Sequence, residues 1–168
     1  MSFYHIIDDA LTEEQIKSIK NFQCSCGTLN LYEFDCLFKL EDIECVHPIL
    51  QIASQYFDLS AAKYYEIWEQ DNDRPKGWHY DKDEYLADSG DLRFPICSTI
   101  YYLEIGDDLV GGKLLMRDPD TFEKHYIEPK TNRLVVFGPG VSHFVDEFEG
   151  RRHSFLCNPW DKLLGQVN

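Results

Sequence analysis

The rhythm of apolar and polar positions changes near residue 60. Before that point the spacing is helical. Thr12-Glu13-Glu14-Gln15 has the form of a capping box, in which the threonine hydroxyl accepts from the Gln15 amide and the glutamine side chain reaches back. Leu11 and Ile16 stand where a hydrophobic staple forms, and Ile16, Ile19 and Phe22 continue an apolar stripe with Lys17 and Lys20 turned outward. A second helix is expected over about 47–57. There Val46, Ile49, Leu50, Ala53 and Phe57 follow i, i+3, i+4, i+7 spacing, and Pro48 suits a first turn. Beyond residue 60 the chain breaks into short β-branched or aromatic runs: AAKYYEIWEQ, GWHYD, ICSTIYYLEI, GGKLLM, KHYIE, NRLVVFG, VSHFVDEF and RHSFLCNPW. Gly, Pro, Asn and Asp separate them, as turns require. Eight such strands predict a mainly β jelly roll or sandwich, with the two helices covering one outer face. A polar stretch over about 82–95 interrupts the series and is expected to be a loop that acts as a lid or binds substrate.

The chain has 168 residues, a length that predicts a single domain: helical support over about 1–60 and a jelly-roll core over about 61–160. Lys and Arg number 16 against 30 Asp and Glu, a net charge of −14. Such a chain lacks the basic field that phosphate backbones attract, so no nucleic-acid partner is expected. No apolar run reaches the roughly 18–20 residues of a membrane span. The first residues carry neither a basic n-region nor an apolar stretch, so a cytoplasmic protein is expected. Six cysteines in such a chain are expected as reduced thiols. Cys24 and Cys26, with Cys36 and Cys45, match no common zinc module, and Cys97 and Cys157 lie in apolar runs as core fillers.

Candidate chemistry gathers late in the chain. His79 and Asp81 are two residues apart in a strand-like run, so their side chains share one face. His143 shares a face with Val141 and Val145, and Arg152 alternates with Ser154 and Leu156. Two neutral imidazoles and one carboxylate make the facial triad that binds iron(II) and leaves coordination positions open. An arginine deeper in the same cavity can hold a carboxylate by a bidentate pair. H-x-D alone arises about once by chance in a chain with six histidines. Singly, these residues also read as a surface histidine, a core histidine and half of a salt bridge. Their order, their strand parity and the nine-residue step from His143 to Arg152 join them.

WHYDKDE, STIYYLEI, GGKLLM, PKTNRLVVF and VSHFVDEFEGRRHSFLCNPW together resemble successive blocks of the 2-oxoglutarate/iron(II)-dependent oxygenases, in the prolyl-hydroxylase-like branch. The resemblance covers about residues 60–160 and implies a double-stranded β-helix. It implies that His79, Asp81 and His143 are the iron ligands. Arg152 would pair with the distal carboxylate of 2-oxoglutarate, Ser154 would hydrogen-bond to it, and Tyr102, before the leucine of the YYL block, would reach the same group. Gly111-Gly112 matches the double glycine that opens a core strand. Two departures are visible. The stretch from Asp81 to Tyr102 is longer than in the compact oxygen-sensing members, and Trp68 and Glu69 stand where a tyrosine is common.

The implied activity uses iron(II), 2-oxoglutarate and O2 to hydroxylate a protein side chain or amino acid, proline first among them, with release of succinate and CO2. Halogenating relatives lack the carboxylate ligand, so Asp81 favours hydroxylation. The rivals are a cupin-like metal enzyme without 2-oxoglutarate and a jelly-roll binding module without chemistry. Arg152 and Ser154 argue against the first, and the intact triad against the second. Between Glu69 and Asp91 lie eight acidic residues and three basic ones (Arg74, Lys76, Lys82). That acidic rim suggests a neutral or cationic substrate. His125 and His153 lack ligand-like partners, and His153 should face away from Arg152 and Ser154.

Overall fold

The computed structural model describes residues 2–22, 37–71, 77–87 and 90–166. Its larger sheet contains β1 (Tyr4–Ile7), β2 (Leu37–Phe38), β3 (Tyr64–Asp71), β4 (Ser98–Ile105), β8 (Arg133–Phe137) and β11 (Arg152–Trp160). The strand order is β1-β8-β4-β11-β3-β2, with antiparallel neighbours throughout. A smaller sheet is formed by β6 (Leu114–Arg117), β7 (Lys124–Ile127) and β9 (His143–Val145), in the order β7-β6-β9. A two-stranded ribbon joins β5 (Val110–Gly111) to β10 (Phe148–Glu149).

Strand parity divides the apolar side chains into two layers. Tyr101, Leu103, Leu134, Val136, Phe155 and Cys157 leave the larger sheet on one face and pack with Ile19, Ile49 and Ala53 of the helices. Ile100, Tyr102, Val135 and Leu156 leave it on the other and meet Leu114, Met116, Ile127 and Val145 of the smaller sheet. The helices therefore cover one outer face, as the sequence predicts, and the space between the sheets is the interior of the jelly roll.

Helix α1 (Glu13–Asn21) starts at the predicted capping box. Thr12 Oγ1 accepts from the Gln15 amide at 3.4 Å, and Gln15 Oε1 accepts from the Thr12 amide at 2.9 Å. Helix α2 (His47–Ala53) begins with Pro48 in its first turn but ends earlier than expected. Its tail tightens into i→i−3 bonds, from the Gln55 amide to Ile52 O and from the Tyr56 amide to Ala53 O, so the apolar spacing to Phe57 continues through turns. The first residues, to which the sequence reading assigned no element, form β1, and with β2 they supply both outer strands of the larger sheet.

Two further expectations change. The GWHYD run is not a strand: its one sheet contact among the described residues is an isolated antiparallel bridge between His79 and His143. The stretch over 82–95 is not a plain loop, because helix α3 (Glu84–Ala87) lies within it. Asp83, fully buried, accepts from the amides of Tyr85 and Leu86 with Oδ1 and from that of Gly165 with Oδ2. Arg93 closes the segment with an ion pair to Asp83 and a 2.6 Å bond to Leu163 O. Local sequence could not reveal this, because Gly165 and Leu163 lie some seventy or more residues away. Cys97 and Cys157 are buried thiols, as expected; Cys24, Cys26 and Cys36 lie outside the described residues.

Asp83→Ala leaves the largely buried Arg93 without its carboxylate and removes the α3 cap, so it is expected to cost about 3 kcal/mol in urea denaturation. A loss below about 1 kcal/mol would contradict the anchoring role.

Candidate metal centre

The centre begins with a backbone arrangement. The His79 amide donates to His143 O and the His143 amide to His79 O, each at 3.0 Å. Residues directly opposite in an antiparallel pair project to the same side, so this bridge brings the two imidazoles together, ring centres 4.3 Å apart. Asp81 follows two residues later on the same side. Ligand atoms of His79, Asp81 and His143 all lie within 4.8 Å of one another, and Asp81 Oδ1 is 3.7 Å from His143 Nε2. The predicted grouping is thus present, although a bridge rather than a full strand produces it.

Each histidine is oriented by its other nitrogen. Nδ1 of His79 lies 2.7 Å from Gly77 O, and Nδ1 of His143 lies 3.0 Å from Val141 O. A carbonyl only accepts, so Nδ1 carries a proton and Nε2 is the nitrogen that faces the site. Burial opposes the charge on Asp81, but His143, a Ser98 hydrogen bond, His79 and Asn158 outweigh it, holding the carboxyl below its ordinary pKa. Two imidazole nitrogens and one carboxylate are the donor set that suits a divalent iron.

Deeper between the sheets, Ser154 on β11 pairs directly with Tyr102 on β4, and both are fully buried. Arg152, 3% exposed, enters the same space. Its Nε donates to Gly112 O at 3.3 Å, and its guanidinium carbon lies 5.2 Å from the Tyr102 ring and 5.6 Å from the Phe148 ring. The double glycine makes that approach possible. Gly111 and Gly112 have φ of +80° and +74°, and a Cβ on Gly112 would stand 3.2 Å from Arg152 Cδ, while one on Gly111 would stand 2.1 Å from Glu147 O across the ribbon. The Ser154 hydroxyl is sealed from water with no hydrogen-bond partner among the described residues, and the buried Tyr102 hydroxyl has only Arg152 beside it. Burial pushes the Tyr102 phenol up, and the Arg152 charge beside it offsets this only in part. Buried hydroxyls rarely lack partners, so hydroxyls beside a buried guanidinium fit a carboxylate that accepts from both.

A family model described as the 2OG-Fe(II) oxygenase superfamily matches residues 62–160. The chain belongs to that superfamily. It is a 2-oxoglutarate-dependent dioxygenase, and its family implies iron(II), 2-oxoglutarate and O2. No curated protein is similar enough in sequence to match. Among solved structures, the chain resembles a Pseudomonas putida prolyl-4-hydroxylase with a TM-score of 0.62 and 18% identity, over 95% of this chain and 93% of that one. It also resembles a Trichoplax adhaerens prolyl hydroxylase in complex with a hypoxia-inducible-factor oxygen-degradation-domain peptide fragment, with a TM-score of 0.59 and 16% identity, over 95% and 84%. A third is a Phytophthora capsici prolyl 4-hydroxylase, with a TM-score of 0.59 and 13% identity, over 97% and 60%. These likenesses establish the jelly-roll fold of the prolyl hydroxylases. No helix among the described residues is long and apolar enough to cross a membrane.

The sequence reading missed Asn158 and Ser98. Asn158 Nδ2 donates to Asp81 Oδ2 at 3.2 Å. Strand parity carried two steps beyond Ser154 and Leu156 reaches Asn158, so a signal for it existed. His153 faces outward as expected, and its Nε2 meets Glu69 Oε2 at 2.8 Å. Trp68 packs against the interior layer, so Trp68 and Glu69, which stand where the family commonly has a tyrosine, perform different tasks.

Ser154→Ala removes a buried hydroxyl that gains no ordinary hydrogen bond in the folded protein. The metal-free variant is expected to be as stable as the parent or more stable by about 1 kcal/mol in thermal denaturation. A loss above about 1 kcal/mol would show the hydroxyl to be part of the packing.

Proposed function

We propose that the chain hydroxylates a protein side chain or a free amino acid, with proline in a peptide the leading substrate, and releases succinate and CO2. The observation that carries the reading is the convergence, in one space between two sheets, of a two-histidine, one-carboxylate group with a buried arginine, serine and tyrosine. A metal site alone fits many enzymes. A metal site beside a buried guanidinium and two buried hydroxyls fits a cosubstrate that is itself a dicarboxylate.

In this reading His79, Asp81 and His143 hold the iron through Nε2, a carboxylate oxygen and Nε2. Arg152 and the hydroxyls of Ser154 and Tyr102 hold the far carboxylate of 2-oxoglutarate. Bound together, iron(II) and 2-oxoglutarate supply the oxidising chemistry: O2 is reduced as 2-oxoglutarate loses CO2, and one oxygen atom enters a substrate C–H bond. The chain's own work is positioning. The carbonyls of Gly77 and Val141 fix the imidazole tautomers, and Gly112 O aims the guanidinium. The apolar walls of Leu114, Met116, Val135 and Leu156 exclude water from the interior.

A peptide substrate draws support from the similarity to prolyl hydroxylases, one of them holding a peptide fragment. The expected cationic preference draws little. Asp71 pairs with Arg151, Asp83 with Arg93, Glu84 with Lys82 and Glu69 with His153, while Asp81 faces the histidines. Five of the six described acidic residues in that segment are thus engaged within the chain.

With iron(II), ascorbate and a panel of proline-containing peptides, the protein is expected to form succinate and a product 16 mass units heavier. Asp81→Ala is expected to abolish both. Arg152→Ala, which unmakes a charge-assisted pair, is expected to weaken 2-oxoglutarate binding by roughly a hundredfold. Succinate formation surviving in Asp81→Ala would remove the triad assignment, and unchanged cosubstrate affinity in Arg152→Ala would remove the clamp.

A further inference from the structure

Asn158 is fully buried at the far end of β11, and its neighbours decide which way its amide points. The Thr99 backbone amide donates to it at 3.2 Å. A backbone N–H only donates, so the Asn158 side-chain oxygen must face Thr99 and its NH2 must face Asp81. That NH2 donates to Asp81 Oδ2 at 3.2 Å, and the Ser98 hydroxyl gives the same carboxylate a second hydrogen bond. Ser98 is 2% exposed. Asp81 Oδ1, by contrast, faces His143 Nε2.

We propose that Asn158, assisted by Ser98, is a positioning residue that occupies one oxygen of Asp81 and leaves a single oxygen for the metal. The inference rests on the metal-site reading above and adds to it a device for keeping coordination positions open. A carboxylate that rotates freely can offer both oxygens to a cation. In a facial site the second oxygen would take a position that the chelating cosubstrate or O2 requires. Asn158 prevents this at no cost in charge, because an amide orients the carboxylate without neutralising it. The Thr99 amide locks the Asn158 side chain, so the restraint passes from the backbone of β4 to the metal ligand through two hydrogen bonds.

The test uses the full chain with cobalt(II) in place of iron, under argon. Cobalt affinity is measured by calorimetry, and the visible cobalt bands are followed as 2-oxoglutarate is added. In Asn158→Ala the freed oxygen of Asp81 can join the cobalt, so the cobalt bands without 2-oxoglutarate are expected to shift while cobalt affinity holds or rises. The variant's bands should not respond at the 2-oxoglutarate concentration that saturates the parent. Ser98→Ala should change the bands and their response in the same direction by a smaller amount. A merely structural role would lower the melting temperature of the metal-free variant while leaving the cobalt bands and their response to 2-oxoglutarate unchanged, and that result overturns the inference. Should Asn158→Ala fail to fold, Ser98→Ala, which removes no partner from a backbone amide, decides by the same criterion. A parent protein that binds no cobalt overturns the metal-site reading and this inference with it. Normal parent binding with unaltered variants overturns this inference alone.

Discussion

The paired backbone hydrogen bonds between His79 and His143, each 3.0 Å, are the only sheet-like contact that the segment around His79 makes among the described residues. Everything at the centre follows from that single bridge. It sets two imidazoles side by side, and the two-residue step to Asp81 adds a carboxylate on the same side. The segment carrying two of the three ligands is otherwise held by its downstream neighbour. There, buried Asp83 gathers α3, Arg93 and Gly165 into one knot. A short unpaired stretch between a bridge and an anchor can place ligands accurately without belonging to a strand. It also leaves Trp78 and Tyr80, on either side of His79, exposed to solvent.

The cosubstrate side of the site is built on a different principle. Arg152, Ser154 and Asn158 lie on one face of β11, the strand flanked by β3 and β4 in the larger sheet. Their polar groups project inward, while Phe155 and Cys157 between them project toward the helices. One strand thus carries the cosubstrate clamp, part of the helix-facing core and a support for the metal ligand. Its register against β4 sets Ser154 opposite Tyr102. A one-residue slip would turn all of them to the wrong face. A buried hydroxyl without a partner costs stability, and such a cost fits a site completed by its ligand.

Much of this was legible in the sequence because strand parity is a local property. His79 with Asp81, Val141 with His143, and Arg152 with Ser154 each follow from alternation, and the capping box at Thr12 follows from hydrogen-bond chemistry three residues long. What escaped depends on distant partners. WHYD reads as a longer strand than it is because the sheet partner it has among the described residues, His143, is 64 residues away from His79. The run at 82–95 looked unstructured because Asp83 finds Arg93 and Gly165 only in the fold. β1 was missed because four residues at an edge carry little pattern. The acidic rim looked like an attractive field until Asp71, Asp83 and Glu84 were seen to hold cations of the same chain. Sequence counts charges without showing which of them are already paired.

The most direct test of the account is an anaerobic titration of the metal-free protein with iron(II) and then 2-oxoglutarate, monitored in the visible range. A weak charge-transfer band is expected that needs both components and is absent in His143→Ala. Iron binding to folded protein with no band on adding 2-oxoglutarate would contradict that expectation, leaving a metal site without the proposed cosubstrate.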